Sequence, residues 1–229
     1  MKALSKKNTA LRQVIEWFVE AGVSDIVCND NSGNGSQKQP LSTLAELREA
    51  MEKVNISIKE CALNMVFGIG NENADLLLLG EAPGAEEDRQ GIPFVGQSGQ
   101  LLDKILAAIG LDRSMVYITN ILPWRPPGNR TPTPEEAALF RPYVLRHISL
   151  VNPKLVVCLG GTASKALLQT NSNLSQLRGK FAKVEGVAAE IFSTFHPAYL
   201  LRSPSQKREA WIDFLTVRRR MSEIVIDGS

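Results

Sequence analysis

The side chains able to do chemistry in this sequence stand in four stretches, each just beyond an apolar run. Gly80-Glu81-Ala82-Pro83-Gly84-Ala85-Glu86-Glu87-Asp88 sets four acids on a Gly/Pro turn, with Gly91-Ile92-Pro93-Phe94-Val95-Gly96 behind it. Acids beside a turn are most often simply solvated. Asn120 precedes Pro123-Trp124-Arg125-Pro126-Pro127-Gly128-Asn129-Arg130-Thr131-Pro132, a stiff cationic loop that suits either a backbone clamp or an inert rigid surface. Gly160-Gly161-Thr162-Ala163-Ser164-Lys165 could seat a phosphate at a helix N-terminus. It has neither the GxxxxGKS/T spacing of a P-loop nor GxGxxG, so it reads as a tight strand-to-helix turn with Ser164 and Lys165 in structural roles. His196-Pro197-Ala198-Tyr199-Leu200-Leu201-Arg202-Ser203-Pro204 holds one of only two histidines, with apolar residues after it. The other, His147, lies inside a helical pattern and reads as structural.

The apolar runs must position these stretches. Asp75 to Leu79, Val116 to Leu122, Lys154 to Leu159 and Glu190 to Phe195 read as buried strands, separated by helical spacing at Ser98 to Ile109, Pro134 to Leu150 and Thr162 to Leu168. Such alternation predicts an α/β fold, a three-layer α/β/α sandwich around a mainly parallel four-stranded sheet. Ligands of such sheets sit beyond the carboxyl ends of the strands, where all the stretches above fall. A last helix is expected over Gln206 to Ile224. Upstream, Leu11, Val14, Ile15, Phe18 and Val19, and again Leu44, Leu47, Met51 and Val54, recur at helix spacing around a polar segment. This predicts a helical extension over 1–57, with a flexible linker at about 28–40, followed by a main domain over 58–229.

With 229 residues, 44% hydrophobic and 22% charged, the chain can bury one sizeable core, which excludes disordered and collagen-like classes. Its apolar runs are too short to cross a bilayer, so no membrane partner is expected. Three widely spaced cysteines, Cys28, Cys61 and Cys158, cannot make a disulfide framework and suit a reducing cytoplasm. The absence of CxxC or His-rich clusters argues against zinc. The 26 basic and 24 acidic residues nearly balance, but between Arg202 and Arg220 the six basic residues Arg202, Lys207, Arg208, Arg218, Arg219 and Arg220 stand against only Glu209 and Asp213. A phosphate-binding surface or a solvated helix face would each explain that excess.

Together the stretches resemble the family 4 uracil-DNA glycosylases. That family's GEAPGxxED…GxPFVGxxGxLL and HPAYLLR signatures match Gly80 to Leu102 and His196 to Arg202, with Tyr117-Ile118-Thr119-Asn120 and Arg125 to Pro132 between them in the family's order. The resemblance spans about residues 58–215. It implies hydrolysis of the bond between uracil N1 and deoxyribose C1′ in DNA, on a base flipped out of the stack. Asn120 would read the base, since a primary amide offers one donor and one acceptor that suit uracil N3–H and O4. Phe94 would stack on the uracil face, and Ala82 and Glu87 would line the pocket, Glu87 near C5 where it would collide with the methyl of thymine. His196 would donate to uracil O2 as negative charge forms there. Glu81 would orient water or stabilise the sugar cation, a carboxylate at ~4 Å and effective dielectric ~20 contributing about 4 kcal/mol. Asn129 would hold that acid. Tyr199, Leu200, Leu201 and Arg202 would enter the minor groove as a wedge, with Arg202, Lys207 and Arg208 on phosphates. The expected partner is uracil-containing DNA and the expected acting species a monomer. A non-catalytic DNA-binding module keeping the fold is the rival reading, which the joint presence of Glu81, Asn120 and His196 disfavours.

The chain departs from the resemblance in one respect. Many family 4 enzymes hold a [4Fe-4S] cluster through four cysteines. Here Lys59-Glu60-Cys61-Ala62-Leu63-Asn64-Met65-Val66-Phe67-Gly68 has one, and the later ligand positions align with Trp124 and Phe140. No cluster, metal or other cofactor is therefore expected, with Trp124 and Phe140 filling its volume.

Overall fold

A computed structural model describes residues 41–227. The chain divides into two compact units, the boundary falling after Asn55. In the first unit the described helix is α1 (Leu44–Glu52). It starts at Thr43, whose Oγ1 accepts from the Glu46 amide at 3.1 Å while the Glu46 carboxylate accepts from the Thr43 amide at 3.2 Å, a reciprocal cap. The helical pattern at Leu11 to Val19, the polar segment at 28–40 and Cys28 lie outside the described residues.

The second unit is built on a six-stranded sheet, order β1-β3-β2-β4-β6-β5. Its centre is parallel: β2 (Leu76–Gly80), β3 (Tyr117–Asn120), β4 (Leu155–Leu159) and β6 (Glu190–Thr194), in register Gly80↔Asn120, Leu79↔Cys158 and Cys158↔Ser193. These are the four strands the apolar runs predict; β2 and β4 are apolar almost throughout, as burial on both faces favours, while β3 and β6 turn polar at their carboxyl ends. Two short antiparallel strands, β1 (Ile69–Gly70) beside β3 and β5 (Phe181–Ala182) beside β6, extend the expected four to six. Two residues are too few to show a period, so neither strand was readable from hydrophobic spacing.

Helices cover both faces. Leu76, Leu78, Ile118, Leu155, Val157, Leu159 and Phe192 form one core cluster with Leu102 and Leu106 of α3 (Gln97–Ala108) and Phe214 and Val217 of α8 (Lys207–Asp227). The opposite face carries α4 (Pro134–Val151), whose buried His147 meets Tyr117 of β3, and α5 (Gly161–Leu168), packed on α4 and β4. Three short helices complete the unit: α2 (Ala85–Gln90), α6 (Leu174–Leu177) and α7 (Pro197–Arg202). The stretch expected as a wedge loop is thus a helical turn. No helix among the described residues is long and apolar enough to cross a membrane.

Candidate active site

The candidate site begins where β2 and β3 end side by side. Asn120 is 4% exposed, and its Oδ1 is buried with no hydrogen-bond partner. Leaving a buried acceptor unmade costs about 1–3 kcal/mol, so an orphan at a sheet's carboxyl edge points to a group that arrives from outside. Gly80, its partner across the ladder, makes the space: a Cβ there would fall on Asn120 Oδ1 and stand 2.7 and 2.8 Å from Cε2 and Cζ of Phe94. The bare glycine therefore lets the amide and the ring converge. Pairing continues past the strands, the Leu122 amide donating to the Glu81 carbonyl at 3.1 Å, which fixes Glu81 beside β3. Glu81 is half-buried and its carboxylate makes no hydrogen bond among the described residues.

The turn after β2 is tied down by Glu87. One carboxylate oxygen accepts from the Gly84 amide at 3.2 Å, the other from the Gly96 amide at 2.9 Å, joining the two glycine-rich loops. Glu87 is 9% exposed, and the two amides hold its carboxylate in the turn. Ala82 is half-buried in the same turn. Asp88, 1% exposed, holds the preceding segment by accepting from the Leu63 and Asn64 amides at 2.8 and 3.2 Å.

His196 reaches the site from the end of β6. Its ring lies 5.6 Å from that of Phe94 by centroids. As the residue before α7, it accepts the Ala198 amide on Nδ1 at 3.1 Å. An accepting Nδ1 carries no proton, so a neutral ring presents its N–H at Nε2. Burial, then the Arg202 cation, push its pKa down to about 4 against an opposing pull from Glu87, which keeps the ring neutral at pH 7. Gly160, at φ +99°, gives it room, since a Cβ there would lie 3.0 Å from the His196 Cβ. His147 is elsewhere: 1% exposed, hydrogen-bonded to Tyr117 Oη at 3.0 Å and stacked on Phe67 at 4.4 Å, its pKa lowered by burial to about 3. Ser164 and Lys165 are outside the pocket chemistry, Ser164 Oγ donating to the Gly160 carbonyl one turn back.

Two assignments from the sequence change on contact with the geometry. Asn129, exposed in a short 3-10 turn, accepts from Arg125 Nε at 2.6 Å on its own loop, and no hydrogen bond joins it to Glu81. Leu200 is 1% exposed and does not belong to an open wedge, because on the helical turn of α7 its side chain points inward, beside Leu101, Ile105, Ala210 and Phe214. Tyr199 and Leu201, 38% and 40% exposed, remain on the outside. The cations are sorted by a residue off α8: Arg178 pairs with Glu209 and Asp213, each at 2.8 Å, and occupies the acids that would otherwise offset the basic end. Arg202, Lys207 and Arg208 are exposed and have no ion pair among the described residues.

The residues at the positions of the family's iron-sulfur ligands do not fit a cluster. Trp124 and Phe140, 4% and 0% exposed, meet edge to face at 5.6 Å, and Lys59 Nζ stands 5.0 Å over the indole. Cys158 is buried inside β4, burial pushing its thiol up to about 12, and Cys61 is exposed. With Cys28 the whole sequence offers three thiols against the four such a cluster takes.

Residues 67–215 match the uracil DNA glycosylase superfamily. The chain is 40% identical over 174 residues to the type-4 uracil-DNA glycosylase of Archaeoglobus fulgidus, an alignment covering 73% of this chain and 87% of that protein. It is 39% identical over 168 residues to the type-4 enzyme of Thermotoga maritima, covering 69% and 87%. Against the type-5 uracil-DNA glycosylase of Pyrobaculum aerophilum the figures fall to 30% over 146 residues, covering 57% and 64%, so the similarity leans to type 4.

Proposed function

The chain belongs to the uracil DNA glycosylase superfamily, and we propose that it acts as a uracil-DNA glycosylase, hydrolysing the N-glycosidic bond of uracil flipped out of DNA and so opening base excision repair. The observation that carries this reading is the unpartnered, buried Asn120 Oδ1, which converges with the Phe94 ring over Gly80. The uracil edge supplies what is missing there: N3–H donates to Oδ1 while O4 accepts from Nδ2. Cytosine, with an acceptor at N3 and donors at N4, reverses that pattern.

Phe94 covers the base face, and Ala82 and Glu87 bound its edge. The two backbone amides on Glu87 make it a rigid stop for a C5 methyl. His196 directs its Nε2–H at uracil O2. A neutral donor gains most as the leaving base becomes an anion, so its contribution falls on the transition state rather than on binding. Glu81, without a competing hydrogen bond, is available to orient water toward C1′ or to face the sugar cation. Asn129 pairs with Glu81 in the DNA-bound state, having Arg125 as its partner in the free protein. Tyr199 and Leu201 fill the vacated stack, Leu200 packs beneath them, and Arg202, Lys207 and Arg208 take phosphates. The protein works as a monomer in the cytoplasm and needs no iron-sulfur cluster or other metal.

The test is base release from oligonucleotides containing uracil, thymine or hypoxanthine, with and without EDTA. Uracil release that survives chelation is expected. DNA binding without release of any base would support instead a binding module that keeps the fold.

A further inference from the structure

The aromatic wall of the pocket is held from behind by a pair that lies in none of the sequence motifs. Phe94 has φ +55°, in the left-handed region that side chains of its size rarely adopt. Such a backbone persists only where its surroundings over-determine it. Here they do so on three sides. The Arg113 guanidinium donates from Nη2 to the Phe94 carbonyl and from Nη1 to the Pro93 carbonyl at 3.2 Å. The same fork is anchored by Asp103 of α3, through Nε to Oδ1 at 2.7 Å and Nη2 to Oδ2 at 3.4 Å. Gly99 admits the strained turn, since a Cβ there would collide with the Phe94 carbonyl. On the ring side, bare Gly80 leaves no slack.

We propose that Arg113, braced by Asp103, is a positioning residue that sets the plane of the Phe94 ring for stacking on the base. The inference rests on the reading of Phe94 as the stacking surface. Three donors of one planar group meet two carbonyls and a carboxylate, a pattern that the single point charge of lysine cannot reproduce. Arg113 acts through Phe94 alone, so its effect on the reaction must vanish when the ring does.

A double-mutant cycle tests this with single-turnover uracil release. Arg113→Ala should slow release roughly 10- to 100-fold in the native background, but less than about threefold in a Phe94→Ala background. Arg113→Lys should not restore the rate, Asp103→Asn should slow it in the same direction, and affinity for uracil-free duplex should stay unchanged. Equal factors for Arg113→Ala in both backgrounds would overturn the proposal while leaving stacking intact. A Phe94→Ala enzyme of native speed would instead remove the reading of Phe94 on which it rests. If Asp103→Asn tightens duplex binding and leaves release untouched, Arg113 is a phosphate contact and the proposal fails. Arg113 and Asp103 side chains are 28% and 45% exposed. Should Arg113→Ala nevertheless fail to fold, the same cycle run with Asp103→Asn in place of it gives the same decision.

Discussion

Replacing Asn120 by Leu should separate activity from stability, removing most of the first and little of the second. The free protein carries a buried Oδ1 with no partner, a defect of about 1–3 kcal/mol. Leu removes that defect and keeps the number of side-chain heavy atoms, but its bulkier methyls meet Gly80 and the Phe94 ring, an overpacking that costs about 1–3 kcal/mol. The two terms offset, so the melting temperature should stay within a few degrees of the parent, at about 2–4 °C per kcal/mol for a unit of this size. On the proposed reading uracil loses both partners on its edge, and with each group left unpaired at about 1–3 kcal/mol, single-turnover release should fall about 100- to 10,000-fold. Calorimetry and a quenched-flow assay on a uracil oligonucleotide measure the two halves. A variant that melts well below the parent yet still releases uracil at near-native rate would refute the reasoning, because the amide would then be structural.

Further outcomes follow from the same geometry. Both histidines are neutral in the fold, with pKa values lowered to about 4 for His196 and about 3 for His147 from 6.5. Their contribution is complete above pH 6.5 and is lost as pH falls toward those values, by about 2 kcal/mol per histidine at pH 5. Urea melts at pH 7 and pH 5 should show that drop, and equal midpoints would contradict it. The purified protein should be colourless and free of stoichiometric iron; a brown protein with broad visible absorption would mean that the thiols are arranged otherwise. Neutralising Arg202 with Arg208 should flatten the salt dependence of DNA binding by about one unit per lost phosphate contact, and an unchanged slope would move the DNA face elsewhere. Glu87→Ala should admit some thymine. Because the variant also loses the Gly84 and Gly96 tethers, uracil release should slow in parallel; a variant faster on uracil and blind to thymine would exclude the steric role.

What could be read from the sequence, and what could not, divides along a physical line. The four central strands are legible because their runs are largely apolar, as burial on both faces favours, and Glu81, Asn120 and His196 stand out as candidates because ligands of parallel sheets sit just past such runs. The edge strands Ile69–Gly70 and Phe181–Ala182 left no trace, being too short for any periodicity. Leu200 was placed outside because an apolar run after a histidine does not say which of its members a helical turn directs inward. The glycines at 80 and 160 were legible only as turn formers, whereas their role is to leave room for Asn120, Phe94 and His196. Arg113 was wholly invisible, for a different reason. Its partners at the pocket are the carbonyls of Pro93 and Phe94, atoms that every residue carries, so no pairing of residue types could announce the contact. The groups proposed to touch the base are specified by their side chains and can be read one at a time. The groups that aim them act through backbone, and only the three-dimensional path of the chain brings them together.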